Sequence, residues 1–142
     1  MDRNDLQAEL YEMYCNDVTK ITGPEMTRKQ LQKYASKKQE YFFVITLDGA
    51  NQIIKIHTIT IGIINRTLIH PREVFLPAIK DCANSIIIGH NHPSGNLKPS
   101  DQDDDITHKM KLSGEILGIQ ILDHIIVSKY GYYSYLEDNK LQ

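Results

Sequence analysis

The sequence predicts an α/β (α+β) domain, a mixed β-sheet flanked by helices. Three observations predict it. Runs rich in β-branched and aromatic residues (Tyr41 to Leu47, Ser85 to Ile88, Ile119 to Ser128) alternate with stretches whose apolar residues recur at helical spacing. Turn-forming residues separate the two kinds, most clearly Asp48-Gly49 and the Pro93, Gly95, Pro99 series. The chain has 142 residues, enough for one domain with a real core and hardly enough for two.

Residues 1–17 read as an N-terminal extension and residues 18–142 as the domain. In the extension Leu6, Leu10 and Met13 fit a short helix, while part of Glu9 to Tyr14 also fits an edge strand. Such an edge would offer two copies a surface on which to pair as a homodimer. Thr22-Gly23-Pro24 is a turn, and Met26 to Ser36 reads as a helix with Thr22 or Thr27 as its cap. Glu40 opens a strand that runs to Leu47, dominated by aromatic and β-branched residues. Asp48-Gly49 then favours a hairpin. Its second strand, Gln52 to Ile61, carries apolar residues on both faces. Pro71 to Ala83 reads as a helix with Val74, Phe75, Ala78, Ile79 and Cys82 inward, bent where Pro77 removes a backbone donor. Ser85 to Ile88 is a buried strand. Behind Ser100 as N-cap, Ile106, Met110, Ser113 and Leu117 follow helical spacing, and Gly118 is the stop. Ile119 to Ser128 and Tyr132 to Leu136 are the last two strands.

The chemistry concentrates between residues 89 and 103, Gly-His-Asn-His-Pro-Ser-Gly-Asn-Leu-Lys-Pro-Ser-Asp-Gln-Asp. Side chains two apart on a strand share a face, so a strand continued through His92 projects His90 and His92 together. The following prolines and glycine turn the chain into a helix whose first turn holds Asp103. Two neutral imidazoles, a carboxylate and one open position make a catalytic Zn2+ site. Each feature alone has a plainer account. Ser100-x-x-Asp103 resembles a capping box, and Asp101, Asp103, Asp104 and Asp105 complement the positive end of a helix dipole.

The same residues carry a resemblance. His-x-His, seven residues, Ser, two residues, Asp resembles the JAMM motif of JAB/MPN-domain metalloproteases. The wider wording resembles the RadC-type branch: His70-Pro71-Arg72-Glu73-Val74-Phe75, His90-Asn91-His92-Pro93-Ser94-Gly95, Pro99-Ser100-x-x-Asp103 and Leu122-Asp123-His124-Ile125-Ile126-Val127. It covers about residues 18 to 138. The resemblance implies a JAB/MPN domain, similar in architecture to cytidine deaminases. It implies zinc ligands at His90, His92 and Asp103, and it matches the family's serine with Ser100. It also implies an upstream glutamate at the start of the first long strand, which Glu40 matches, with Glu73 as the competing candidate. Such a carboxylate takes a proton from water and returns it to the leaving amine. The implied activity is zinc-dependent hydrolysis, of metallopeptidase or isopeptidase type, on a peptide or isopeptide substrate. RadC-type proteins also carry a DNA-repair label. Longer members bear an N-terminal helix-hairpin-helix region that this sequence does not show, so action through DNA or protein binding is the alternative.

Composition narrows the rest. The chain is 41% hydrophobic and 24% charged, with a formal net charge of −2 and a pI near 6.3. That gives no electrostatic case for nucleic-acid binding, whose footprint is a basic stripe. Arg28, Lys29, Lys33, Lys37 and Lys38 read as a solvated helix face. No stretch is long and apolar enough to span a membrane, and Met1 to Asn16 lacks the apolar core of a signal peptide. Cys15 and Cys82 have no CxxC spacing. They are expected to be reduced packing residues in a cytoplasmic protein. Pro-Cys-x-x-Cys does not follow the histidines, which disfavours a deaminase. His124 reads as a hydrogen-bonded core residue, with Asp123 exposed at a bend or supporting it. His57 and His108 read as surface positions, and His70 as a loop residue before a helix. Tyr133 and Tyr135 share a face and are expected to pack.

Overall fold

A computed structural model describes residues 2–7, 19–62 and 69–141. Its elements are α1 (Pro24–Leu31), a single 3-10 turn (Gln32–Tyr34), β1 (Tyr41–Leu47), β2 (Ile53–Ile61), α2 (Pro71–Lys80), β3 (Ser85–Asn91), α3 (Asp101–Leu117), β4 (Gln120–Ser128) and β5 (Gly131–Ser134). Residues 3–7 are also helical. Leu10, Met13, Cys15 and the expected edge strand lie outside the described residues.

The strands form one sheet in the order β2-β1-β3-β4-β5. β1 pairs antiparallel with both β2 and β3, β3 pairs parallel with β4, and β4 pairs antiparallel with β5. The one parallel pair, β3 with β4, is joined by a crossover that carries a helix, α3, while short turns join the antiparallel pairs β1–β2 and β4–β5. Alternation along the strands splits the core. Phe42, Val44, Ile86, Ile88 and Ile121 meet Val74, Phe75 and Ala78 of α2 and Ile106 and Met110 of α3. Phe43, Ile45, Leu47, Ile87, Ile125 and Val127 meet Leu31 and Ala35 on the opposite face. His90 follows Ile86 and Ile88 at two-residue spacing, so it emerges on the α3 side.

The predicted mixed sheet and its flanking helices are present, with local corrections. α1 begins at Pro24, its N-cap is Gly23, and no side chain caps it. Neither Thr22 nor Thr27 does so. Thr27 is buried inside the helix. α2 ends at Lys80. Ile79 is 55% exposed and Cys82 is also exposed. Ile79 lies on the outer face of the helix, away from Val74, Phe75 and Ala78, and Cys82 is past its end in a left-handed turn, φ 53°. On α3, Ser113 is only half-buried and Leu117 is exposed, while Gly114 is buried. A Cβ on Gly114 would lie 2.4 Å from the Ile119 carbonyl oxygen, so the helix is pressed against the chain leading into β4. Gly118 ends α3 in the left-handed conformation, φ 72°. β5 is Gly131–Ser134, shifted toward the N-terminus from the expectation by the short turn after Ser128.

Candidate metal centre

β3 ends at Asn91, so His90 is its penultimate residue and His92 stands one past the end. The His92 amide still donates to the Val127 carbonyl at 2.9 Å, which prolongs the ladder and keeps the two imidazoles on one side. The chain then turns. Gly95 N–H donates to the His92 carbonyl at 3.0 Å. Gly95 has φ 87°, and a Cβ there would lie 2.6 Å from the Tyr130 ring, so the position requires glycine. Ser100 caps α3. Its Oγ accepts from Asp103 N at 3.1 Å, and Asp103 Oδ2 accepts from Ser100 N at 2.8 Å. The capping box therefore exists and serves the site: it holds the Asp103 carboxylate facing the histidines.

Three ligand atoms converge. His90 Nε2 and His92 Nε2 are 3.0 Å apart. Asp103 Oδ1 lies 3.2 Å from His90 Nε2, and Oδ2 lies 3.2 Å from His92 Nε2. His92 Nδ1 contacts the Asn96 carbonyl at 2.6 Å. A carbonyl only accepts, so Nδ1 carries the proton, and Nε2 of the neutral ring is a bare lone pair. That lone pair faces a second imidazole nitrogen and a carboxylate, an arrangement that a cation among them would satisfy. Tetrahedral zinc with bonds of about 2.0 Å sets its donors about 3.3 Å apart, close to the spacings here. The donor set fits the ion. His90, His92 and Asp103 form the one group of three or more His, Cys, Asp or Glu able to share a metal among the described residues.

Burial and charge act together on these groups. Burial works against the charge of Asp103, but both imidazoles and the Ser100 amide outweigh it and hold the carboxyl well below the usual range. Burial pushes the His92 imidazolium down. The Asp103 carboxylate and the Asn96 carbonyl, with Glu40 behind them, reverse this, and the net shift is upward. Burial drives His124 strongly down, and the neighbouring His90 adds to it.

The other predicted residues are near but distinct. Phe42 pairs with His90 in antiparallel register. Glu40 directly precedes β1, and its charge bears on His92. It lines a groove of about 410 Å³ with Lys38, Gln39, Gly62, Pro93 and Ser94. The Glu40 carbonyl accepts from Gly62 N at 2.8 Å. Glu73 is exposed in the first turn of α2 and lines a different groove, with Lys55, His57 and Asp81. The Ser100 hydroxyl uses a lone pair in capping and keeps its own proton to donate.

Some participants stand in the motif wording without a role that the sequence assigns. Asn91, between the two histidines, projects to the other face and is fully buried. Its Oδ1 accepts from Tyr41 N at 2.6 Å and its Nδ2 donates to the Gln39 carbonyl at 2.9 Å, so it clamps the chain on both sides of Glu40. The strand pattern places Asn91 opposite the histidines, but only the register of β1 shows what it holds. His124 contacts His90, Nε2 to Nδ1, at 2.8 Å. Asp123 is not exposed at a bend. It is buried, and accepts from Ser134 Oγ, Leu136 N and His124 N. Burial raises its pKa against these bonds. His57 is not a free surface residue either. Its Nε2 meets Asp81 Oδ2 at 2.6 Å, and both side chains are mostly covered.

A sequence profile of the RadC-like JAB domain matches residues 21–141. The chain is 42% identical over 127 residues to a UPF0758 protein of Chlorobium phaeovibrioides, covering 89% of this chain and 57% of that one. It is 42% identical over 135 residues to one of Staphylococcus haemolyticus, covering 94% and 59%. It is 47% identical over 112 residues to one of Methanospirillum hungatei, covering 78% and 50%. The chain thus spans between half and three-fifths of the length of these relatives. With a profile match across nearly the whole chain, it belongs to the RadC-like JAB domain family.

Proposed function

We propose that this domain is a zinc-dependent hydrolase of amide bonds, of metallopeptidase or isopeptidase type. The observation that carries the reading is the convergence of His90 Nε2, His92 Nε2 and the Asp103 carboxylate within 3.2 Å of one another in successive contacts. His90, His92 and Asp103 would hold the ion. Bound there, zinc supplies Lewis acidity, which can bring the pKa of a water down to about 7. Glu40 would be the proton carrier. Its charge is felt at His92 and it lines the neighbouring groove, from which it would take a proton from the attacking water and deliver it to the leaving amine. Ser100 would donate its free O–H to the carbonyl oxygen as charge develops there, a contribution worth about 3 kcal/mol per donor.

Zinc content of the purified protein is the first test. About one ion per chain, lost in His92→Ala and in Asp103→Ala, supports the reading. A peptide and isopeptide library then follows, with Glu40→Gln as the metal-retaining inactive control. A wild type that takes up no zinc even when supplied with it removes the hydrolase. DNA association is the competing reading. It predicts binding that weakens steeply with salt, which the net charge of −2 does not favour.

A further inference from the structure

His124 lies outside the ligand set, yet it touches it. The ring is fully buried on β4. Tyr135 stacks on it with centroids 4.8 Å apart and planes 9° apart, and Phe42 meets it edge-on at 6.1 Å. The ring therefore has one orientation. Nε2 lies 2.8 Å from His90 Nδ1, and Nδ1 lies 2.5 Å from Thr107 Oγ1. The Thr107 hydroxyl also donates to the Asp103 carbonyl oxygen at 2.7 Å.

Counting protons sets the direction of each bond. A carbonyl cannot donate, so the single hydroxyl proton of Thr107 goes to Asp103 O. Thr107 Oγ1 must then accept from His124 Nδ1–H. A second proton on His124 would bury a cation with no carboxylate hydrogen-bonded to it among the described residues, a costly state. The ring is neutral, its Nε2 is bare, and Nε2 accepts. His90 Nδ1 therefore carries a proton and donates. A neutral His90 has no second proton, so its Nε2, the atom facing His92 and Asp103, is left as a lone pair. The relay starts on the main-chain carbonyl of Asp103, whose carboxylate faces the same lone pair.

We propose that Thr107 and His124 are positioning residues of the metal site, a buried hydroxyl–imidazole relay that holds His90 in its Nδ1–H tautomer and aims Nε2 at a divalent metal ion. The proposal rests on the metal reading above. Support from the far ring nitrogen fixes a ligand's tautomer and basicity, and removing it costs about 10- to 100-fold in metal affinity.

Two measurements test it. Nitrogen-15 imidazole correlation spectra of the metal-free full chain at pH 8 should show His124 and His90 both protonated on Nδ1. A His124 protonated on Nε2 overturns the relay without reference to any metal. Zinc affinity, by chelator competition, and the visible spectrum of the cobalt-loaded protein are then compared across variants. Thr107→Val should weaken zinc by about 10- to 100-fold and alter the cobalt spectrum, while Thr107→Ser restores both. His124→Gln, which can still accept from His90, should bind more tightly than His124→Leu. A merely structural role would lower the melting temperature of these variants and leave their zinc affinity unchanged. A wild type that binds no divalent ion overturns the metal reading and this proposal with it. A wild type that binds, with Thr107→Val equal to it, overturns the relay alone. Should Thr107→Val not fold, the tautomer measurement on the wild type decides.

Discussion

Replacing Asn91 by alanine should release Glu40 and leave the three candidate ligands in place. The side chain makes two hydrogen bonds, both to the backbone of the neighbouring chain: Tyr41 N at 2.6 Å and the Gln39 carbonyl at 2.9 Å. Gln39 is exposed, so its carbonyl can turn to water and its loss sits near 0.5 kcal/mol, the low end for such bonds. Tyr41 N is half-covered and would face the space left by the missing amide, at a cost of about 1–3 kcal/mol. The sum is about 1.5–3.5 kcal/mol. Urea unfolding of the metal-free protein reads this directly as a fall in midpoint at unchanged slope. Hydrogen exchange adds the local view, since the Tyr41 amide should lose its protection while that of Phe43 keeps it. Zinc affinity should stay near the wild-type value, because no ligand contact is touched, and turnover should fall with the displacement of Glu40. A stability loss under about 0.5 kcal/mol, with Tyr41 still protected, would refute the clamp.

Ser100→Ala removes the N-cap oxygen of α3, so it should cost about 1 kcal/mol in thermal stability. It should retain zinc and lower turnover by about 10²- to 10³-fold as one oxyanion donor is lost. Gly114→Ala forces a Cβ to within 2.4 Å of the Ile119 carbonyl oxygen. Overpacking of this kind should destabilise by about 1–3 kcal/mol in urea titration. The stability of the metal-free protein should peak near pH 6.5, the ordinary histidine value. His92 is raised in the folded state, so its contribution is complete below about 6.5 and is lost as pH rises through the higher folded value. His124 is depressed, so below about 6.5 the unfolded chain takes up a proton that the folded one refuses, and stability falls again. Zinc affinity should instead rise with pH, about tenfold per unit where His92 gives up its proton.

The fold was legible because its signals are local and periodic. Tyr41 to Leu47 and Ser85 to Ile88 announce strands by side-chain type, Asp48-Gly49 announces the hairpin, and Ser100 and Gly118 bracket α3 at both ends. Element ends were less legible where tertiary contacts set them. α2 stops at Lys80 because the chain takes a left-handed turn at Cys82, which no propensity foretells. Spacing alone groups Ser113 and Leu117 with Ile106 and Met110, yet only the latter two are in the core. The close approach of Gly114 to Ile119 rotates that face away, and a glycine carries no apolar signal to reveal it.

The candidate site divides the same way. His90, His92 and Asp103 are separated by a short, well-punctuated loop, so strand alternation and helix capping bring them together from sequence. Asn91 and His124 act across strand pairings. Asn91 reaches residues about 50 positions earlier, and His124 reaches His90 from 34 positions later. Neither reach follows from its own surroundings in the sequence. His124 in particular looks like any histidine in an apolar strand until the parallel register of β3 and β4 sets it beside His90. What distinguishes it is then the direction of its hydrogen bonds. A core histidine that only satisfied its nitrogens could accept or donate toward His90 with equal stability. Here Thr107, already committed to the Asp103 carbonyl, removes that freedom and leaves His90 one way to present its lone pair.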